Sequence, residues 1–260
     1  MTTRLLSLAA GTILDVDPAA AVNVAEQSGF AAVGLWFDAQ TWSAQRTREL
    51  SAALAKSPVI ALDIEPIMLS ATGDHGDRIV DIAQQVGARN ILVASRDHEI
   101  DRVAQRLVEL ADRLDRSSTI RIVLEFLPIL GIKTLWQAHQ AVLQANRPAL
   151  GLLIDSLHLD RAGHSPADLA PLPSSLFPYL QLCDAPSTLS DLSPASRLHE
   201  ALHGRLLLGD GGLPINELLT AIPLVPISLE LRSERLLAAF PDPVERAEHL
   251  LRTTRKFLSP

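Results

Sequence analysis

Short runs of Val, Ile and Leu alternate with longer segments of helical periodicity along the whole chain. Eight of these apolar runs have the length and composition of buried strands. They cover residues 4–9, 31–37, 59–68, 90–95, 120–127, 150–155, 179–183 and 227–231. Because their apolar positions are nearly continuous, they predict parallel strands that are covered on both faces.

Segments with an amphipathic, helical pattern fill most of the intervals between the strands. These predicted helices cover residues 18–28, 41–55, 100–114, 133–144, 213–221 and 243–257. Two of them begin with an Asp directly before a Pro, at Asp17 and Asp242, a pair that is typical of a helix start. Eight strand–helix repeats in about 250 residues favour a closed barrel over an open sheet. We therefore predict an α/β fold, a parallel eight-stranded (β/α)8 TIM barrel, with residues 1–260 in a single domain.

Composition and charge limit the classes of protein that fit this chain. Apolar residues make up 47% of the 260 residues, which is enough for a large core. A net charge of −7 leaves no basic face, so we expect no nucleic-acid partner. The single cysteine, Cys183, excludes an internal disulfide framework and indicates a reducing, cytoplasmic location. No apolar run approaches the roughly 18 residues of a membrane span, so we expect no membrane partner.

Four polar side chains interrupt the last four predicted strands. Glu125, Asp155, Gln181 and Glu230 lie in the runs IRIVLEFLP, ALGLLIDSLH, PYLQLCDAP and PISLELRS. A buried carboxylate without a partner is costly, and the carboxyl ends of barrel strands converge on one face. The simplest explanation is one shared divalent cation. Oxygen donors favour Mn²⁺ or Mg²⁺, with Co²⁺ and Zn²⁺ as alternatives.

The charge of such a site bears on its substrate. Three ionised carboxylates and one divalent cation leave a net charge of about −1. A site of this charge favours a neutral polyol or ketone, whereas an acidic substrate needs additional cations nearby.

Five segments, LEFLP, IDSLHLDRAG, QLCDAP, GDGGLPI and LELRS, resemble the xylose-isomerase-like superfamily of metal-dependent barrels. This superfamily includes sugar epimerases, inosose dehydratases, 3-dehydroshikimate dehydratases and repair endonucleases of the endonuclease IV type. The resemblance implies that Glu125, Asp155 and Glu230 bind the metal, together with Gln181, where most members have His. A Gln at this place resembles the bacterial 3-dehydroshikimate dehydratases. The acidic charge and the small number of histidines speak against a repair endonuclease.

The resemblance also implies a chemistry. Glu125 and Glu230 would remove and return a proton next to a substrate carbonyl through a metal-stabilised enediolate. Return of the proton to carbon makes the protein a sugar or polyol isomerase or epimerase, which is our first hypothesis. Loss of a β-hydroxyl makes it a dehydratase of the 3-dehydroshikimate or inosose type. A third hypothesis is a non-catalytic barrel that binds a metabolite.

Further residues are candidates for contacts with a small polyhydroxy carbonyl substrate. By the resemblance, His158 contacts substrate hydroxyls and assists catalysis. We expect the substrate-binding residues to be Trp36, Glu65, Arg197, His199, Arg205 and Arg232. Asp184 is expected to have a structural role, and residues 186–212 are expected to hold additional structure over the site. A homo-oligomer is compatible with this sequence.

Overall fold

Eight parallel strands close into a barrel in a computed structural model that describes residues 4–259. Each strand pairs with the next one along the chain, and the last pairs with the first. The strands are β1 (Leu6–Leu8), β2 (Ala32–Trp36), β3 (Ile60–Leu69), β4 (Asn90–Ser95), β5 (Arg121–Glu125), β6 (Leu150–Asp155), β7 (Leu180–Leu182) and β8 (Ile227–Leu229). This architecture confirms the predicted (β/α)8 fold.

Helices occupy every interval between consecutive strands, and two further helices follow β8. They are α1 (Pro18–Ser28), α2 (Ala44–Lys56), α3 (Gly76–Val86), α4 (Ile100–Arg113), α5 (Leu135–Ala145), α6 (Ser156–Arg161), α7 (Pro194–His203), α8 (Ile215–Ala221), α9 (Glu234–Ala239) and α10 (Pro243–Phe257). Within residues 4–259, no helix is long and apolar enough to cross a membrane.

Four of these helices, α3, α6, α7 and α9, lie outside the predicted set. The N-terminus of α3 follows a Gly-rich loop, and its N-cap residue, His75, makes no side-chain capping bond. The helix α6 has only six residues and begins directly after β6. Asp155 ends that strand and accepts hydrogen bonds from the backbone N–H groups of Leu157 and His158. One residue therefore serves as strand end and helix cap, which an apolar pattern does not reveal.

The interior of the barrel is apolar at one level and polar above it. A cluster of buried side chains fills the lower level: Ala32, Leu62, Leu92, Val123, Leu153 and Tyr179. Above it, register brings polar residues of neighbouring strands side by side, since Asp155 pairs with Gln181 and Gln181 pairs with Ser228. The polar level therefore lies near the carboxyl ends of the strands, where sites form in this fold.

An irregularity in β3 adds to the polar level. Val33 pairs with Ala61 but Gly34 pairs with Asp63, so that Leu62 is an extra residue in the ladder. Leu62 belongs to the interior cluster, and the carboxylate of Asp63 lies 3.4 Å from the hydroxyl of Tyr179 in the same cluster. Consecutive strand residues normally face opposite sides. The extra residue thus turns both Leu62 and Asp63 inward.

The long segment between β7 and β8 is held over the barrel end by one buried aspartate, Asp184. Its carboxylate accepts hydrogen bonds from the backbone N–H groups of Ala185, Gly209, Gly211 and Leu213 at 2.8–3.0 Å. A second contact that holds this segment is the ion pair between Arg161 of α6 and the buried Glu200 of α7. The segment therefore has a fixed path, with α7 packed beside the barrel mouth.

We expect the substitution Asp184→Ala to destabilise the fold. The change leaves four backbone donors without their acceptor, which should lower the free energy of unfolding by about 2–4 kcal/mol. Urea unfolding followed by circular dichroism measures this difference. The control is Asp191→Ala, which removes an exposed carboxylate from the same segment. Equal unfolding midpoints for the two variants would contradict the role assigned to Asp184.

Candidate active site

A cavity of about 100 Å³ opens at the carboxyl ends of the strands. Both charged or polar residues and apolar residues line the cavity. The polar lining consists of Trp36, Glu65, Glu125, His158, Arg205, Glu230 and Arg232, and the apolar lining consists of Pro66, Met68, Leu92, Ala94, Leu127, Ile129, Ala201 and Leu202.

The four predicted ligands meet at this end of the barrel. Glu125 ends β5, Asp155 ends β6, Gln181 is the central residue of β7, and Glu230 directly follows β8. All four are buried. Glu230 fits because the neighbouring backbone carries no side chain: a Cβ on Gly11 would lie 2.4 Å from its Oε1 atom. Side chains from four successive strands thus face one small volume.

Glu125, Asp155 and His158 form a group that could hold a metal ion. One ligand atom from each of these residues lies within 4.8 Å of the others. The Nε2 atom of His158 is 4.0 Å from the Oε1 atom of Glu125. Burial lowers the pKa of His158 to about 4, so the imidazole is neutral at neutral pH. A neutral imidazole is a competent ligand, and the structure therefore adds His158 to the oxygen donors expected from the sequence.

A single guanidinium group, that of Arg205, joins two of the carboxylates. Its Nη1 atom is 2.6 Å from Oδ2 of Asp155, and its Nη2 atom is 3.2 Å from Oε2 of Glu230. Nη2 is also 3.4 Å from Nε2 of His158. Burial alone would raise the pKa of Asp155, but the charge of Arg205 and the hydrogen bonds to the carboxylate hold that pKa below its usual value. Asp155 is therefore ionised.

In the remaining acids the charge of Arg205 does not outweigh the effect of burial. Burial, reinforced by neighbouring carboxylates, raises the pKa of Glu125 and of Glu65 well above the usual value. Burial also raises the pKa of Glu230, even though Arg205 opposes the shift. The Oε1 atoms of Gln181 and Glu65 are buried without a hydrogen-bond partner among residues 4–259. Surplus negative charge and unpartnered oxygen atoms together fit a divalent cation at this place.

The residues expected to contact substrate divide into two groups. Trp36, Glu65, Arg205 and Arg232 line the cavity, as does His158. Arg197 and His199 do not belong to that lining. Arg197 donates hydrogen bonds to the backbone carbonyls of Leu192 and Arg161, and His199 is exposed, with its ring 5.2 Å from that of His203. These two residues therefore contact the β7–β8 segment and, through Arg161, the end of α6, and they do not line the cavity.

Sequence reasoning missed one acid of the interior, Asp63. It is fully buried on β3, and its closest polar partner is the hydroxyl of Tyr179 at 3.4 Å. Burial and the charge of Glu230 raise its pKa to about 7. Like the predicted ligands, it interrupts an apolar run, ALDIEPIML, so the same criterion could have identified it.

One family model and one curated relative match this sequence. The family model described as xylose isomerase-like TIM barrel matches residues 22–257. The 3-dehydroshikimate dehydratase of Pseudomonas aeruginosa is 29% identical over 176 residues, which are 64% of this chain and 27% of that protein. This chain thus spans about a quarter of the length of that curated relative.

Two solved structures share the fold over nearly their whole length. The IolI protein with a bound zinc atom superposes with a TM-score of 0.81 at 17% identity, covering 99% of this chain and 98% of that one. The probable 3-DHS dehydratase AsbF from Bacillus anthracis has a TM-score of 0.73 at 14% identity, with 96% and 98% covered.

We expect the stability of the metal-free protein to depend on the ionisation of Asp63. The unfolded residue has a pKa near 3.9, whereas the folded pKa is about 7. The folded state therefore binds more protons between these values, and stability falls as the pH rises through this range. The variant Asp63→Asn cannot titrate, so its stability relative to the wild type should increase from pH 5 to pH 8.

Urea unfolding at pH 5, 6, 7 and 8 in the presence of a chelator measures this difference. The control is Asp191→Asn, because hydrogen bonds from Ser193 lower the pKa of this exposed carboxyl and it stays ionised throughout. A constant stability difference between Asp63→Asn and the wild type would show that Asp63 does not titrate in this range.

Proposed function

The chain belongs to the xylose isomerase-like TIM barrel family, whose model matches residues 22–257, and from this premise we propose a dehydratase. The substrate is a small cyclic compound with a carbonyl group and hydroxyl groups, and the reaction requires a divalent cation. Isomerisation or epimerisation, which begins with the same proton removal, is the second candidate.

The cation would be held by Glu125, Asp155, Gln181 and Glu230, with His158 beside them. The unpartnered oxygen of Gln181 and the raised pKa of Glu125 support this set. Oxygen donors favour Mn²⁺ or Mg²⁺. When bound, the cation would polarise the substrate carbonyl and stabilise the negative charge that develops on its oxygen.

The protein's own groups account for the movement of the proton. Arg205 favours the charged form of Glu230, so that its carboxylate can accept the proton next to the carbonyl. The electrons of the broken C–H bond form a carbon–carbon double bond as the hydroxyl on the next carbon departs. Glu230 then returns the proton to that hydroxyl, and water leaves. The proton and the hydroxyl leave together as water, so the reaction needs no further reactant. The neutral imidazole of His158 can hydrogen-bond the departing hydroxyl.

The apolar residues in the lining of the cavity favour dehydration over isomerisation. An open-chain ketose presents hydroxyl groups on every side and needs polar partners around it. Here the apolar lining residues, among them Leu92, Leu127 and Ile129, provide none. A ring can place its face on such residues while its hydroxyl and carbonyl groups meet the acids. The dehydratase of Pseudomonas aeruginosa supports the same choice.

Turnover assays separate the candidate reactions. Protein loaded with Mn²⁺ or Mg²⁺ is incubated with 3-dehydroshikimate, and dehydration is read from the ultraviolet absorbance of the aromatic acid formed. A neutral ketohexose in D₂O, followed by proton NMR, reports isomerisation as deuterium uptake at carbon. We expect the absorbance of the aromatic acid to rise in the first assay and no deuterium uptake in the second. The dehydratase activity should be lost when a chelator is added and should return when the cation is restored. Deuterium uptake without dehydration would favour the isomerase. The absence of both signals would favour a metabolite-binding barrel.

We expect Glu230→Gln to lower kcat at least about 100-fold, because the variant cannot accept the proton. Calorimetric titration with Mn²⁺ checks separately whether the variant still binds the cation. The control is Glu234→Gln, which changes an exposed acid four residues further on. Turnover by Glu230→Gln at the rate of the control would exclude Glu230 as the base.

A further inference from the structure

Arg232 has an unused guanidinium group in the cavity. Among residues 4–259, no carboxylate oxygen lies within 4.0 Å of this group, and its side chain donates no hydrogen bond. The two other arginines near the site are both paired, Arg205 with Asp155 and Glu230, and Arg161 with Glu200. Arg232 is only partly exposed. Its N–H donors therefore have no acceptor among the described residues of the protein.

The aromatic ring of Trp36 supports the guanidinium group. The central carbon of the guanidinium group lies 5.6 Å from the centre of the indole ring. Stacking over a ring engages the flat face of the group, while the N–H donors lie in its plane and stay available. A stacked guanidinium is also held in place, which reduces the entropy lost when a ligand binds. The guanidinium group of Arg232 is therefore held in position with its N–H donors available to a ligand.

Arg232 also changes the charge of the cavity. The sequence alone gave a site that favours a neutral substrate unless cations lie nearby. The structure provides two such cations, Arg205 at the carboxylates and Arg232 in the cavity lining. Arg205 is bound on two sides by acids, which leaves Arg232 as the group that can pair with a negative charge on a ligand.

We propose that Arg232 binds the carboxylate of the substrate and that the substrate is therefore a small cyclic carboxylic acid. The carboxylate pairs with the fork of Arg232 beside Trp36. The ring lies on the apolar lining residues Leu92, Leu127 and Ile129, and its oxygen substituents reach the acids. The placement of the oxygen substituents near the acids rests on the proposed function. The pairing of the carboxylate with Arg232 is independent of it.

A pair of ligands that differ in one group tests the pairing. The probes are 3,4-dihydroxybenzoate and 3,4-dihydroxybenzamide, which share the ring and both hydroxyls but differ in charge. Their dissociation constants are measured by calorimetry on protein saturated with Mg²⁺. We expect the benzoate to bind the wild type at least about tenfold more tightly. In Arg232→Gln this preference should fall to about one, and Arg232→Lys should retain part of it as a single charge.

The ratio of the two constants isolates the contact with the carboxylate. A general effect of Arg232 on the acids or on cation binding changes both constants alike and leaves their ratio unchanged. The matched control is Arg235→Gln, which removes an exposed arginine that pairs with Asp210 outside the cavity lining. Thermal unfolding shows whether each variant is folded.

The outcomes separate this inference from the proposed function. Equal binding of both probes by the wild type would overturn the assignment of a carboxylic acid, whatever reaction is found. An unchanged preference in Arg232→Gln would overturn the role of Arg232. A preference that Arg232→Gln abolishes supports the inference even if 3-dehydroshikimate is not turned over, a result that counts against the dehydratase alone.

Discussion

The ion contacts of Arg205 are the interaction on which the rest of the site depends. Acids from β3, β5, β6 and β8 are buried at one end of a barrel, where water cannot solvate their charge. Arg205 neutralises part of this charge by bridging Asp155 and Glu230. Without it, Asp155 and Glu230 would lose the cation that pairs with both of them. The residual excess of oxygen donors is what fits the site for a divalent cation.

The structure around the barrel mouth positions this arginine. Arg205 follows α7 and lies fifty residues from Asp155 in sequence, so only the path of the long β7–β8 segment brings them together. Glu200 fastens α7 to Arg161, and short bridges join Gly204 to Ser233 and Leu206 to Asp184. Stability of this segment and chemistry at the carboxylates are therefore linked: a change at Asp184 or Glu200 acts on the site through the position of Arg205.

Sequence patterns predicted the barrel and indicated four polar residues that lie buried at its carboxyl end, because both follow from local rules, whereas their role as metal ligands stays a prediction. Continuous apolar runs indicate strands that are covered on both faces, and a polar residue inside such a run must have a partner. The predictions were weaker where position depends on distant contacts. Arg197 and His199 were grouped with Arg205 as neighbours in sequence, but Arg205 lies beyond the end of α7, so helical periodicity does not relate the three. Asp63 also interrupts an apolar run, but its inward orientation depends on an irregular register between β2 and β3 that the sequence does not reveal.

We propose that the ends of β5 to β8 form one cation site. Anomalous diffraction from crystals soaked in MnCl₂ can test this proposal. Anomalous diffraction locates manganese independently of any assumed chemistry. We expect a single strong anomalous peak in the barrel mouth, from a manganese ion bound to oxygen atoms of Glu125, Asp155, Gln181 and Glu230. The absence of a peak there, with Arg205 still bridging Asp155 and Glu230 at saturating Mn²⁺, would contradict it.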